Sequence, residues 1–276
     1  MPLLHLLLLA VIQGITEFLP VSSSGHLILL PGLTGMADQG QVLDVAVHVG
    51  TLGAVVLYFW ADVREAIQGL PRLLSGKADT PGSRLAMLLI IATIPGILFG
   101  LFLALTGIDD MLRSVAVIGW TMLGFGILLY IADRRGDSGK MPEEWTLVES
   151  IKFGLWQAIA LIPGTSRSGI CITGALFAGY ERKAAAKISM LMSIPMIIAS
   201  AAYLSGEVIA TADIQAAKDG AIAAVFAFLS ALLALSLMMK LLNSVSYTPY
   251  VIYRVVLGLF LLWFAYVHGA EMPAHA

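Results

Sequence analysis

Residues 13–27 read QGITEFLPVSSSGHL, which sets a carboxylate, a histidine and three consecutive serines inside one of the most apolar parts of an apolar chain. Pro20 stops a helix there, because proline lacks an amide hydrogen and its ring clashes with the preceding turn. Residues 3–19 run apolar into that stop, and a short apolar piece follows as far as Pro31-Gly32. Each half is too short or too polar at one end to cross a bilayer, which takes about 20 residues. Unwound backbone at membrane depth persists only when buried in protein or lining a wet cavity. The stretch therefore predicts a re-entrant helical hairpin with Glu17 and His26 on either side of its tip.

The rest of the 276-residue chain supports a membrane setting. It is 59% hydrophobic and 12% charged, with a mean hydropathy of +0.89, far from the composition of a soluble domain. A net charge of −2 makes nucleic acid an unlikely partner. The single cysteine, Cys171, forms no intramolecular disulfide and reads as small core filler. The opening MPLLHLLLLAVIQG resembles a signal-peptide core but lacks a basic leader and a cleavage site, so it reads as mature structure.

Six stretches are long enough to span: about 41–60, 85–105, 113–132, 184–204, 219–241 and 249–268. A second broken region, 146–162, runs into Pro163, Gly164 and TSRSG, with a short piece ending near Gly179. Sliding the chain by 144 residues lays Gln13 on Gln157, Ser22 on Ser166, Ser24 on Ser168 and Gly25 on Gly169, and span 41–60 on span 184–204. The order is thus a hairpin and three spans, twice. Three crossings per repeat turn the second copy upside down, the inverted-repeat arrangement. The expected fold is all-α and polytopic: one membrane domain, 1–276, with repeats at about 1–140 and 141–276. Pro95 and Pro195 read as kinks, and His5 and His268 as interfacial residues.

Loop charges orient it. Arg64, Arg72, Lys77 and Arg84 in 61–84, Arg134, Arg135 and Lys140 in 133–145, and Arg182, Lys183 and Lys187 in 180–187 fall on one side of the six-span scheme. The positive-inside rule makes that side cytoplasmic. Both termini are then external, the first hairpin enters from outside and the second from the cytoplasm, and the tips meet near the midplane.

Glu17 follows Gln13 by four residues, so both project from one helix face. A charged side chain at membrane depth costs roughly 2.5–3.5 kcal/mol on insertion scales and marks a functional site by default. One serine of PVSSSGH suffices to cap the next helix; Ser22, Ser23 and Ser24 leave hydroxyls for substrate or nucleophilic work. His26, in the first turn of that helix, suits acid/base work. In PGTSRSG, 163–169, Arg167 can grip a phosphate with two parallel hydrogen bonds. Gly164, Thr165, Ser166 and Ser168 form an anion-binding lining with the free amides of the next helix start. A structural pairing of Arg167 with Glu17 is the bland alternative. Asp44 and His48, spaced i,i+4, line the cavity or contribute two ligands to a metal.

QGITEFLPVSSSGH and PGTSRSG together resemble the two signature motifs of the undecaprenyl-diphosphate phosphatases, the bacitracin-resistance type called BacA or UppP, and the resemblance runs the full chain. It implies hydrolysis of undecaprenyl diphosphate to the monophosphate and inorganic phosphate, recycling the lipid carrier for peptidoglycan synthesis. It implies catalytic roles for Glu17, Ser23, His26 and Arg167, and substrate contacts from Gln13 and Ser166. Many members have Glu where this chain has Gln13, which weakens a two-carboxylate metal site. A divalent cation, Mg2+ or Ca2+, is accordingly only a candidate cofactor, with Glu17 its candidate ligand.

These readings lead to a phosphatase in a bacterial cytoplasmic (inner) membrane, its site open to the external face. Its partners are a polyprenyl diphosphate and membrane lipids, and a homodimer is left open. The rival is a secondary transporter or lipid flippase, since facing broken hairpins are transporter architecture. A purely structural scaffold leaves the buried charges without purpose.

Overall fold

The computed structural model describes residues 3–23, 25–27, 40–135, 139–211 and 214–268, with backbone alone at 41, 109–110, 205–211 and 268. Ser24 and Pro31-Gly32 lie outside these residues. The described chain is helical throughout: α1 (Leu3–Phe18), α2 (Gln41–Tyr58), α3 (Trp60–Leu74), α4 (Pro81–Thr106), α5 (Ile108–Leu112), α6 (Val115–Arg134), α7 (Leu147–Ile159), α8 (Arg167–Phe177), α9 (Arg182–Thr211), α10 (Ile214–Leu241) and α11 (Thr248–His268). Five of them, α4, α6, α9, α10 and α11, are long and apolar enough to cross a membrane alone. A sixth candidate is α2, which passes the same test only together with α3, from which it is bent by 92°. All six expected spans are therefore helices, and both broken regions are broken.

Local chemistry explains several boundaries. Thr80 accepts a hydrogen bond from the Ser83 amide and Pro81 occupies the first turn, so α4 starts as a capped helix with its N–H groups satisfied. Gly107, left-handed at φ 67°, ends it. Thr146 and Glu149 form a reciprocal capping box at the start of α7.

The expected loop 61–84 is mostly helix. In WADVREAIQGLPRLL the buried residues Val63, Ala66 and Gly69 recur every three positions, facing α4, while Arg64, Glu65 and Arg72 face outward. That stripe is amphipathic helix periodicity, invisible to a search for uniformly apolar spans. Likewise Arg182, Lys183 and Lys187 sit in the first turns of α9, not in a loop, and 108–112 is a short helix. Both α4 and α9 run through their internal prolines, Pro95 and Pro195.

The hairpins enter from opposite ends. The first half of α1 packs with the first half of α2 and of α10, through Leu6, Leu9, Ala10, Leu43, Val47 and Ala223. The start of α7 instead meets the start of α4, where Arg84 donates to the Trp145 carbonyl. Closely approached backbones make both contacts possible. A Cβ on Gly14 would lie 2.6 Å from the Ala227 carbonyl oxygen, and one on Gly154 would lie 2.7 Å from that of Ala92. Thus α1 lies on α10 as α7 lies on α4, while α2 meets α9 and α6 meets α11. If α1, α2, α4 and α6 correspond to α7, α9, α10 and α11, every one of these pairs maps onto another or onto itself. The packing is compatible with an inverted repeat.

The basic end is tied by polar contacts between helix ends. Buried Asp133 accepts from Arg182 at 2.5 Å and from the Tyr247 amide at 3.1 Å, joining α6, α9 and the start of α11, and Lys187 pairs with Asp62 at 2.7 Å. The opposite end carries no comparable set of contacts among the described residues, and the cavity beside Glu17 opens there; another, of about 450 Å³, opens at the basic end beside Asp62, Arg84 and Lys187.

Gly14→Ala should push α1 off α10 and destabilise the protein by about 1–3 kcal/mol. Exposed Gly124, where a Cβ meets nothing within 4 Å, should gain about 0.5–1 kcal/mol on replacement by alanine. Thermal unfolding in detergent should move the two variants in opposite directions.

Candidate active site

At the first tip the chain leaves α1 and turns over Leu19–Val21, and helical backbone resumes at Ser23. At the second it leaves α7, turns through 160–165 and enters α8 at Arg167. Ser22 (φ 76°) and Ser166 (φ 71°) are the only non-glycine residues in the left-handed region among the described residues, and they stand 144 positions apart. Each caps the helix it precedes: Ser22 Oγ accepts the Gly25 amide at 3.3 Å and Ser166 Oγ the Gly169 amide at 3.1 Å. Such a backbone costs on the order of 1–3 kcal/mol and survives only where its surroundings enforce it. Gly164 needs to be glycine: its φ is 84°, and a Cβ would lie 2.2 Å from Thr121 Oγ1.

Glu17 lies where the tips meet. Its Oε1 accepts from Arg167 Nη2 at 2.9 Å; its Oε2 accepts from Gln13 Nε2 and from Ser23 Oγ, both at 2.9 Å. The side chains of Glu17 and Arg167 are 7% and 15% exposed, so the pair is nearly desolvated and removal of either partner would strand a charge. Arg167 Nη1 donates to the Ser189 carbonyl on α9 at 3.1 Å. Ser168 Oγ donates to the Leu19 carbonyl at 2.9 Å, a second bond between the tips.

Glu17, Ser23, His48, Ser166 and Arg167 line one cavity of about 320 Å³, between the start of α2 and the end of α9. An apolar groove of about 310 Å³ between α4 and α9 adjoins it, sharing Leu161, Met196, Ser200 and Leu204. A polar chamber with an apolar annex suits a ligand with a charged head and a hydrocarbon tail. An incoming anion would compete with Glu17 for Arg167, because one guanidinium serves both the resting carboxylate and any phosphate that displaces it.

Other expected site residues lie behind this wall. Gln13 is fully buried and orients Glu17; Ser22 and Ser168 are buried in the tip backbone. Gly164 and Thr165 face α11 through their carbonyl groups. The Ser24 reading falls outside the described residues. His26 is not among the cavity-lining residues. Its Nδ1 donates to the Ser22 carbonyl at 2.7 Å, which leaves Nε2 as the acceptor for Tyr253 O–H at 2.5 Å. The structural pairing of Glu17 with Arg167 is present, alongside the cavity-lining arrangement.

Arg254 on α11 escaped the sequence reading, although a lone arginine in the apolar run 249–268 carries the same warning as Glu17. It is fully buried. Its guanidinium donates to the carbonyls of Thr165 at 2.8 Å, Gly164 at 3.1 Å and Pro20 at 3.4 Å, and to Met122 at 3.2 Å and Thr121 at 3.4 Å on α6. One side chain thereby holds both tips against α6.

No three His, Cys, Asp or Glu side chains converge among the described residues. Gln13 supplies an amide in place of a second carboxylate, and both oxygens of Glu17 already accept hydrogen bonds.

A family model described as "Bacitracin resistance protein BacA" matches residues 6–260. The undecaprenyl-diphosphatases of Jannaschia sp. (strain CCS1) and Ruegeria pomeroyi are 67% and 68% identical to the chain over 266 residues, 96% of this chain and 100% of each of those proteins. A more distant relative of the same name, from Saccharophagus degradans, is 46% identical over 268 residues, 96% of this chain and 100% of its own.

Arg254→Lys keeps the charge but loses the planar fork that reaches both tips. Each buried carbonyl left without a donor costs about 1–3 kcal/mol. The variant should melt at a clearly lower temperature than the parent and lose turnover, both measurable on one detergent-purified sample.

Proposed function

The chain belongs to the bacitracin-resistance (BacA) family, and from that premise we propose that it is an integral-membrane undecaprenyl-diphosphatase. It hydrolyses the lipid diphosphate to the monophosphate and inorganic phosphate, returning the carrier to cell-wall synthesis and conferring bacitracin resistance. The observation that carries this reading is the Ser23–Glu17–Arg167 constellation: a hydroxyl, the carboxylate that accepts its proton and a guanidinium, assembled at two helix starts in one cavity.

The roles follow from the contacts. Arg167 passes from Glu17 to the terminal phosphate as substrate enters, and Ser166 lies beside it in the cavity wall. Glu17, freed of its cation, becomes a stronger base toward the Ser23 hydroxyl already donating to it. Ser23 Oγ attacks the terminal phosphorus, a new P–O bond forms, the bridging P–O bond breaks, and the prenyl monophosphate leaves. Water then releases phosphate from the serine. Gln13 holds Glu17 in place, and His26 anchors the short helix bearing Ser23 to α11 through Tyr253.

The prenyl tail lies in the groove between α4 and α9, open to lipid. Positive-inside orientation puts the basic end in the cytoplasm and the cavity at the external face of the cytoplasmic membrane, with both chain ends external. The meeting hairpins also suit a transporter, but a transporter has no need of a serine hydroxyl on the carboxylate.

Purified protein in detergent, with no gradient, should release phosphate from a prenyl diphosphate. Glu17→Gln should reduce turnover by about 10²–10⁴-fold, and rapid quench with radiolabelled substrate should trap a phosphoserine that Ser23→Ala lacks. Oxygen-18 from water entering the phosphate within a single turnover, with no trapped intermediate, would sink the covalent route.

Gly100→Phe, which points a ring into the groove beside Leu161, should raise KM several-fold more for a C55 substrate than for a short prenyl diphosphate. Equal effects on both would argue against this groove as the tail site.

A further inference from the structure

Two histidines stand near the tips, and only one faces the cavity. His48, on α2, directs Nδ1 at the Asp44 carbonyl oxygen 2.6 Å away. A carbonyl only accepts, so Nδ1 carries the hydrogen and Nε2 is the open nitrogen. That Nε2 lies 3.9 Å from Glu17 Oε2, the oxygen that also receives the Ser23 hydroxyl. His48 is part of the cavity wall, with its side chain 36% exposed. In His26, by contrast, both ring nitrogens are engaged away from Glu17.

From this geometry we infer that His48 is the imidazole that exchanges a proton with Glu17 during turnover and meets the substrate phosphate. The inference rests on the phosphatase reading above. At 3.9 Å the two groups stand within ion-pair distance but short of hydrogen-bond contact, so the transfer needs a closer approach or one bridging water. When Ser23 Oγ bonds to phosphorus and the bridging P–O bond breaks, the serine proton moves to Glu17 Oε2 and on to His48 Nε2. The electron pair of the broken bond leaves with the prenyl monophosphate. The imidazolium then sits between Glu17 and the phosphoryl oxygens until it returns the proton to departing phosphate.

The charged groups around it are few. Glu17 comes from α1, Arg167 from α8 and Asp44 from one turn earlier on α2. From α9 the cavity wall receives Met196, Ile197, Ser200, Ala201 and Leu204, with no ionisable side chain among them. Where α10 packs on α2 beside this turn, it presents Ala224 to Gly50 and Phe228 to Gly53. Of the side-chain types in this wall, only imidazole ordinarily changes charge between pH 5 and 8.

The test is the pH profile of kcat/KM for the parent, His48→Gln and His26→Gln. The parent should show a limb within that range. His48→Gln should lose the limb and at least tenfold in kcat, whereas His26→Gln, whatever its rate, should keep the limb. A second readout needs no variant: diethyl pyrocarbonate should modify His48 faster than His26 in the parent, read by peptide mass, and inorganic phosphate should protect it. A limb that persists in His48→Gln but vanishes in His26→Gln, or modification of His48 indifferent to phosphate, overturns the inference. An inactive parent would instead remove the phosphatase reading itself.

Discussion

Two side chains that a bilayer would expel, Glu17 and Arg167, are held 2.9 Å apart at the point where two unfinished helices meet. Neither hairpin is self-sufficient. Each brings one charge and a stretch of unwound backbone to the junction, and each supplies what the other lacks. Breaking such a pair by removing one partner costs about 3–5 kcal/mol, because the survivor stays buried and uncompensated. The same burial that makes the pair costly to break makes it useful. Because the pair is nearly desolvated, an anion that competed for the arginine would leave the displaced carboxylate more basic at the moment a nucleophile is needed.

The division of labour follows the two hairpins. In the proposed reaction the first carries the groups that handle protons, Glu17 and Ser23. The second carries the cation and a helix start that favour an anion. Left-handed serines at equivalent places, Ser22 and Ser166, show both tips solving one problem: a sharp turn that must also cap the helix after it. Glycine would make the turn more readily, but it would supply no oxygen for the cap. Behind the cavity, Gln13 and Ser168 serve the wall and not the substrate chamber.

Much of this was legible in the chain. Uniform apolar runs of spanning length revealed the six crossings, and proline followed by polar residues revealed the breaks, because both signals are local. The 144-residue offset set the two tips in corresponding places of the two repeats. What escaped were features that depend on a face or on distance. The amphipathic α3 is too mixed in composition to stand out as a span. His26 and His48 look alike in sequence, and only the packing of α11 turns one away from the cavity while the packing of α2 turns the other toward it. Arg254 was visible as a charge in an apolar run but lies in no motif, since its partners are backbone atoms from three distant places.

That last property has a consequence for how freely the tips can change. A carbonyl oxygen belongs to every residue, so an arginine that grips only carbonyls is blind to the side chains it holds in place. Residues at 20 and 165 could be exchanged for others able to adopt the same turns without unfastening the clamp, whereas Gly164 is fixed by its own backbone. The fold thus separates the hardware that locates the reacting groups from the chemistry those groups perform. A different head group could be accommodated by altering side chains at the tips, while the arginine two helices away kept both loops where they are.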